Sequence, residues 1–191
     1  MEYLTMTSAA RVFLFAWLAF PGLVAAQSPA GATDFNVADR LAIQNVISSH
    51  FLELDSCHMD AWIANYADDA VFVAVNAGQR HESDRSAIDK FFRERFRNFK
   101  AMGYQRRHVV SNIMFVSQSE DTAQVRANGL LLSTNNGIDP KVVTSMAYEG
   151  TFVKRDGVWK IQKWVVRTDT NQNYDKSNLP EGVRTSADVE D

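Results

Sequence analysis

The stretch 49–62 (SHFLELDSCHMDAW) gathers His50, Asp55, Cys57 and His58, side chains of types that carry protons or bind metals. Histidine is the side chain that changes charge nearest neutral pH, with an unperturbed pKa of about 6.5, which suits it to general-base work. The stretch closes an apolar helix at Asp55 and begins a second helix that runs into a strand. A sheet folded around that corner sets His108 opposite Asp55, and acid–base catalysis is the chemistry open to such a pair. Asp55 could instead be a helix-end carboxylate in solvent, and His108 a core histidine bonded to a backbone carbonyl. His50 falls on the apolar side of its helix, so it points to a satisfied core position or to a pocket. Metal-ligand types are present, but His50, Asp55, Cys57, His58 and His108 lack the spacing of a zinc motif, and no metal is expected. Cys57, the single cysteine, reads as a small buried hydrophobe rather than a reactive thiol.

Periodicity supplies the elements that must hold these residues. Asn36 with Asp39 is a capping pair that opens a helix over 37–54. On it Ile43, Val46, Ile47, His50, Phe51 and Leu54 form one stripe at about 100° per residue. Asp60 caps a short helix over 61–67 whose Trp62, Ile63 and Tyr66 face inward. A β-branched and aromatic strand over 70–75 follows, then a polar loop over 76–82 (NAGQRHE) in which His81 has no specific role. Ser83 or Ser86 opens a third helix to about residue 99. Its packed face holds Ile88, Phe92, Phe96 and Phe99, while Lys90, Arg93, Arg95 and Arg97 lie elsewhere as a solvated face among Asp84, Asp89 and Glu94. From there the period turns to two, with strands over 105–117, 122–133, 141–155 and 158–167 and a hairpin loop over 134–140. Asp156-Gly157 is a two-residue hairpin turn that pairs Lys154 with Trp159, Phe152 with Ile161 and Tyr148 with Val165. Three helices, one early strand and a long meander make an α+β domain, a curved antiparallel sheet wrapped over the helices. A cavity left open at one end of such a roll is the default ligand site.

Residues 1–26 read as a secretory signal peptide. Arg11 precedes an apolar run that Pro21-Gly22 interrupts, shorter than the roughly 20 residues of a membrane span, and Val24-Ala25-Ala26 offers a cleavage site. A retained N-terminal anchor is the alternative. Residues 27–36 form a flexible lead-in, 37–167 the one domain and 168–191 a polar C-terminal tail. Export implies a secreted or periplasmic protein with no membrane span after cleavage, and a lone cysteine leaves the core without an intrachain disulfide. The formal net charge of −3 gives no sign of a nucleic-acid surface. With no phosphate loop, dinucleotide fingerprint or nucleophile elbow, no cofactor is expected.

Five segments in order carry a family resemblance: 43–47 (IQNVI), 54–55 (LD), 61–72 (AWIANYADDAVF), 107–112 (RHVVSN) and 148–160 (YEGTFVKRDGVWK). The chain resembles the SnoaL-like branch of the nuclear-transport-factor-two-like superfamily, the cone-shaped, cystatin-like α+β roll of polyketide cyclases and scytalone dehydratase. Scytalone dehydratase, bile-acid dehydratase and hexachlorocyclohexane dehydrochlorinase are similar in facing an aspartate at the end of the first helix with a histidine on a strand. Asp55 and His108 fall on those positions. The last two enzymes have a tyrosine or lysine where this chain has His50, and the second histidine of scytalone dehydratase falls near Leu131. The resemblance implies a cofactor-independent lyase or isomerase, of dehydratase or dehydrohalogenase type, acting on a small apolar, aromatic or polycyclic substrate. His108 is then the base and Asp55 its orienter, and His50, Tyr66 and Tyr148 are substrate-binding donors. The same fold carries non-catalytic small-molecule-binding and assembly proteins, which is the alternative. The signal peptide disfavours the small subunit of a cytoplasmic ring-hydroxylating dioxygenase. The outer sheet face of such proteins implies a homodimer or homotrimer.

Overall fold

The computed structural model describes residues 36–76 and 79–169. The expected signal peptide and lead-in, up to residue 35, and the expected tail from residue 170 lie outside the described residues. No helix among the described residues is long and apolar enough to cross a membrane.

Helix α1 (Val37–Asp55) begins at Asn36, whose side chain accepts from the amides of Ala38 and Asp39 at 3.0 and 3.2 Å. Two otherwise orphaned N–H groups are satisfied there. Asp39 turns inward, and its Oδ1 accepts from Lys154 Nζ and Trp159 Nε1, both at 2.8 Å. That contact pins the start of α1 to a hairpin more than a hundred positions away. Ile43, Ile47, His50, Phe51 and Leu54 are buried, as the stripe requires. The helix stops because Cys57 adopts φ 61°: its amide donates to the Leu54 carbonyl at 3.1 Å, and that of His58 to the Glu53 carbonyl at 2.9 Å. This is the paired bonding that ends helices at a left-handed residue, a place glycine usually fills. Cys57 is therefore a half-buried turn residue packed against the core, less deeply placed than the buried hydrophobe expected from the sequence.

Helix α2 (Met59–Ile63) is shorter and earlier than expected, because Tyr66 already belongs to β1 (Tyr66–Asn76). Part of the expected polar loop is a strand, β2 (Gln79–Asp84), paired antiparallel with β1. Most of β2 is exposed, so its QRHESD sequence carries no apolar alternation, and its charges protect an open sheet edge. Helix α3 (Arg85–Ala101) is capped by Asp84, which accepts from the Ala87 amide at 2.8 Å, rather than by Ser83 or Ser86.

Strands β3 (Tyr104–Gln118), β4 (Thr122–Asn135), β5 (Ile138–Arg155) and β6 (Val158–Thr168) complete a sheet ordered β2-β1-β6-β5-β4-β3. Every neighbouring pair is antiparallel except β1 and β6, which run parallel. The loop expected over 134–140 tightens to Asn136-Gly137, both with positive φ. At the Asp156-Gly157 turn, Lys154 faces Trp159 and Phe152 faces Ile161, as counted from the sequence. Tyr148, however, faces Val166 instead of Val165, because a bulge beyond Phe152 shifts the register by one. On β4 Ala123, Val125, Ala127 and Leu131 are buried, while the alternate residues from Thr122 to Leu130 are exposed, so the sheet has one packed face and one wet face. Its packed side curls over the helices around Trp62, Phe152, Ile161 and Trp164.

Gly150 sits where Trp164 crosses the sheet. A Cβ there would lie 2.7 Å from ring carbons of both Phe152 and Trp164. Gly150→Ala must displace one of those rings, and the expected loss is about 1–3 kcal/mol. Thermal or urea unfolding reads it directly; an unchanged midpoint would mean that the rings have room to move.

Candidate active site

Asp55 ends α1, and the middle of the chain brings β3 across it. The Asp55 carboxylate is nearly closed to solvent, and the His108 side chain is 10% exposed. Asp55 Oδ1 lies 2.7 Å from His108 Nδ1, and Oδ2 accepts the His108 backbone N–H at 2.7 Å. The Asp55 main-chain carbonyl accepts in turn from Gln105 Nε2 at 2.9 Å and Arg107 Nη1 at 3.2 Å. One residue thus ties the helix end to the strand through both its side chain and its backbone. An ionised carboxylate only accepts hydrogen bonds, which assigns the ring proton to Nδ1 and leaves a lone pair on Nε2. Asp55 is no solvent-exposed helix end, and the His108 ring is bonded to a carboxylate rather than to a backbone carbonyl.

A cavity of about 780 Å³ opens between the sheet and the helices, within the range of about 300–1,000 Å³ common to ligand sites. His50, His108 and Tyr148 line it together with Trp62, Leu131 and Trp164. Asp55 stands behind His108. Tyr66 is not brought to the cavity wall: it is buried with its ring 5.5 Å from that of His50 and 5.4 Å from that of Trp62. Leu131 faces His108 across the β3–β4 ladder, so the place beside the base is apolar.

His50 turns out to be both a satisfied core residue and a cavity residue. Trp62 Nε1–H donates to its Nδ1 at 3.1 Å. An indole only donates, so Nδ1 is the acceptor and the proton of the neutral ring is on Nε2. The ring is 2% exposed and surrounded by Phe51, Trp62, Tyr66 and Trp164. Burial, helped by the nearby His108, lowers its pKa to about 3. The unfolded chain therefore binds a proton here near pH 6.5 that the folded chain refuses until about pH 3. Stability from this group is present above pH 6.5 and is lost as pH falls towards 3, by about 2–4 kcal/mol. Urea melts from pH 7 to 4 are expected to show a shallower acid loss for His50→Gln than for the wild type; parallel curves would place the loss elsewhere.

The Tyr148 hydroxyl donates to Met146 Sδ at 2.6 Å, a weak acceptor that a better one can replace. Burial, then the Asp55 charge, raises the Tyr148 pKa, so the hydroxyl stays a neutral donor. Gly129 makes room for this ring, since a Cβ there would lie 2.5 Å from a Tyr148 ring carbon.

Three titratable side chains of the cavity wall were not expected there from the sequence. His81 lines the cavity from β2 instead of idling in a loop. Arg95 lines it from α3 rather than sitting on a solvated face, and Arg106 lines it from β3. The signals existed. Arg95 is seven positions after Ile88 and four before Phe99, inside the apolar stripe, and Arg106 shares the strand face of His108. Among the described residues, no three His, Cys, Asp or Glu side chains converge as a metal site. His58 pairs with Glu53 at the surface, at 2.8 Å.

Comparison with known proteins bears on this geometry. A Novosphingobium aromaticivorans structure provisionally named a scytalone dehydratase is 23% identical, with TM-score 0.61 over 75% of this chain and 93% of that one. ActVI-ORFA from Streptomyces coelicolor is 18% identical, with TM-score 0.61 over 70% and 97%. A Nostoc punctiforme protein of unknown function with a cystatin-like fold is 18% identical, with TM-score 0.56 over 71% and 94%. At these identities the likeness is one of fold. No curated protein matches the sequence. The sequence does match the SnoaL-like domain over residues 36–165. That span takes in the helix-end aspartate, the strand histidine and nearly all of the sheet, and the chain belongs to the SnoaL-like domain family.

Proposed function

We propose that this protein is a cofactor-independent lyase or isomerase of the dehydratase or dehydrohalogenase type. The observation that carries the proposal is the buried Asp55–His108 pair, bonded at 2.7 Å on the wall of an open cavity. His108 Nε2 takes a proton from a carbon next to an electron-withdrawing group. The released electron pair forms the C=C bond, and the bond to hydroxide or halide on the adjacent carbon breaks with its pair. Asp55 fixes the ring tautomer and balances the imidazolium as it forms. His50 Nε2–H and the Tyr148 hydroxyl donate to the departing group or to an enolate oxygen. When hydroxide departs, the proton leaves with it as water. Trp62, Leu131 and Trp164 suit a small apolar or aromatic substrate body. The open cavity beside a bonded pair favours this reading over a non-catalytic binding or assembly protein.

Residues 1–26 support a secreted or periplasmic location in the same proposal. Exposed Val109, Met114, Leu130 and Val142, on the strands of the outer sheet face, support a homodimer or homotrimer. The test is a screen of β-hydroxy and β-halo carbonyl compounds with apolar bodies, followed by the absorbance of the conjugated product. Product from the wild type and none from His108→Gln supports the lyase. Equal rates from both proteins, or no product from any class, turns the reading to a binding protein.

A further inference from the structure

Two cations of the cavity wall form no ion pair among the described residues. Arg95 and Arg106 both line the cavity that holds His108, and each has its Nε buried without a hydrogen-bond partner among the described residues. Both lie against Phe99: the two guanidinium carbons are 5.2 and 5.3 Å from its ring centroid. Phe91 flanks Arg95 on another side, at 5.7 Å. Other basic residues of this protein are treated differently. Arg93, two positions from Arg95, binds Asp60 at 2.6 Å and Asp89 at 2.8 Å, and Lys154 binds Asp39 at 2.8 Å. The carboxylate whose charge reaches Arg106 is that of Asp55, and both of its oxygens are already taken by His108. Burial and the charge of Arg95 lower the Arg106 pKa to about 10. Two like charges that share one aromatic ring in a partly dry wall are costly unless an anion compensates them.

We propose that Arg95 and Arg106 receive a carboxylate of the substrate, so that the molecule acted on is an amphipathic acid with an apolar or aromatic body. The proposal rests on the lyase reading of the same cavity and names the class of molecule that enters it. Guanidinium forks match the two oxygens of a carboxylate in a way that a lysine does not. Position adds to the charge argument. Arg106 and His108 are two residues apart on β3, so their side chains leave the same face about 6.5–7 Å apart along the strand. A carboxylate seated on Arg106 therefore places carbon atoms a few bonds further along beside His108 Nε2. The remaining body lies against the indole and phenol rings of the wall.

The experiment is a binding measurement with two probes of one shape, 4-phenylbenzoate and the neutral 4-phenylbenzamide, followed by quenching of the fluorescence of Trp62 and Trp164. Wild-type protein is expected to bind the carboxylate at least about tenfold more tightly, a difference of about 1.4 kcal/mol. The preference is expected to weaken with added salt, to shrink below about threefold in Arg95→Met/Arg106→Met, and to persist in Arg97→Met on the exposed side of α3. Equal binding of the two probes to the wild type, or a preference that survives the double substitution, would overturn the proposal, as would no binding of either probe at about 1 mM. The wild-type comparison decides the matter even where the double variant fails to fold. His108→Gln separates the two ideas. A carboxylate preference retained there with no turnover anywhere sinks the lyase reading alone, while turnover of neutral substrates without the preference sinks only the carboxylate site.

Discussion

In His108→Gln, turnover of any substrate the wild type converts is expected to fall by about 10²–10⁴-fold, the usual contribution of a positioned general base. Glutamine keeps an amide able to donate to Asp55, and the backbone N–H that Asp55 Oδ2 accepts is untouched. What disappears is the basic lone pair. KM is expected to change little, because the ring contributes one face of a wall that Phe51, Trp62, Tyr148 and Trp164 also build. The measurement is kcat and KM with a melting curve on the same preparation. A variant that melts like the wild type and works within threefold of it removes His108 from the chemistry.

Asp55→Asn tests the other half of the pair, and here both activity and stability are expected to move. The carboxylate accepts two bonds, one from the ring and one from the backbone of the same histidine. An asparagine has one carbonyl oxygen and one NH₂ group in their place. If its oxygen serves the backbone, the NH₂ group faces the ring and selects the tautomer with the proton on Nε2, which cannot act as the base. If the amide flips, the buried backbone N–H loses its acceptor. A rate loss of about 10²–10⁴-fold is expected by the first route, by analogy with triad aspartates. A stability loss of about 1–3 kcal/mol is expected by the second. A melting curve beside the kinetics separates a wrong tautomer from simple loosening, since only the former leaves the melting point near that of the wild type. Full activity in Asp55→Asn would leave the base without need of an orienter.

The sequence makes the helix–strand corner legible because its signals are local. Asn36 and the stripe from Ile43 to Leu54 follow the helical period, and Asp55 stands where that period stops. The hairpin at Asp156-Gly157 announces itself by turn chemistry. Register beyond Phe152 was not readable, because the bulge that moves Tyr148 to Val166 has no residue type of its own. Strand β2 was hidden for a different reason. An exposed edge has no buried face to mark with apolar residues, and QRHESD looks like a loop. Arg95 was hidden by company rather than by position, since the charges around it suggest a solvated face while its place on the wheel is apolar. Tyr66 shows the converse. Its inward direction was right, but direction alone does not tell a cavity wall from the packing behind it.

The parallel pairing of β1 with β6 has a consequence for the order in which this protein comes into being. Phe72 meets Trp164 in the middle of the sheet, although the two belong to the first and the last strand in the sequence. Contacts that close so long a loop are late and slow compared with a helix or a hairpin. Trp164, Val166 and Thr168, all from β6, form part of the cavity wall. A chain emerging from the ribosome thus completes α1 and its aspartate long before it has anywhere to hold a ligand. Ligand binding is expected to be the last property to return on refolding, after the helical signal and in step with burial of the final strand.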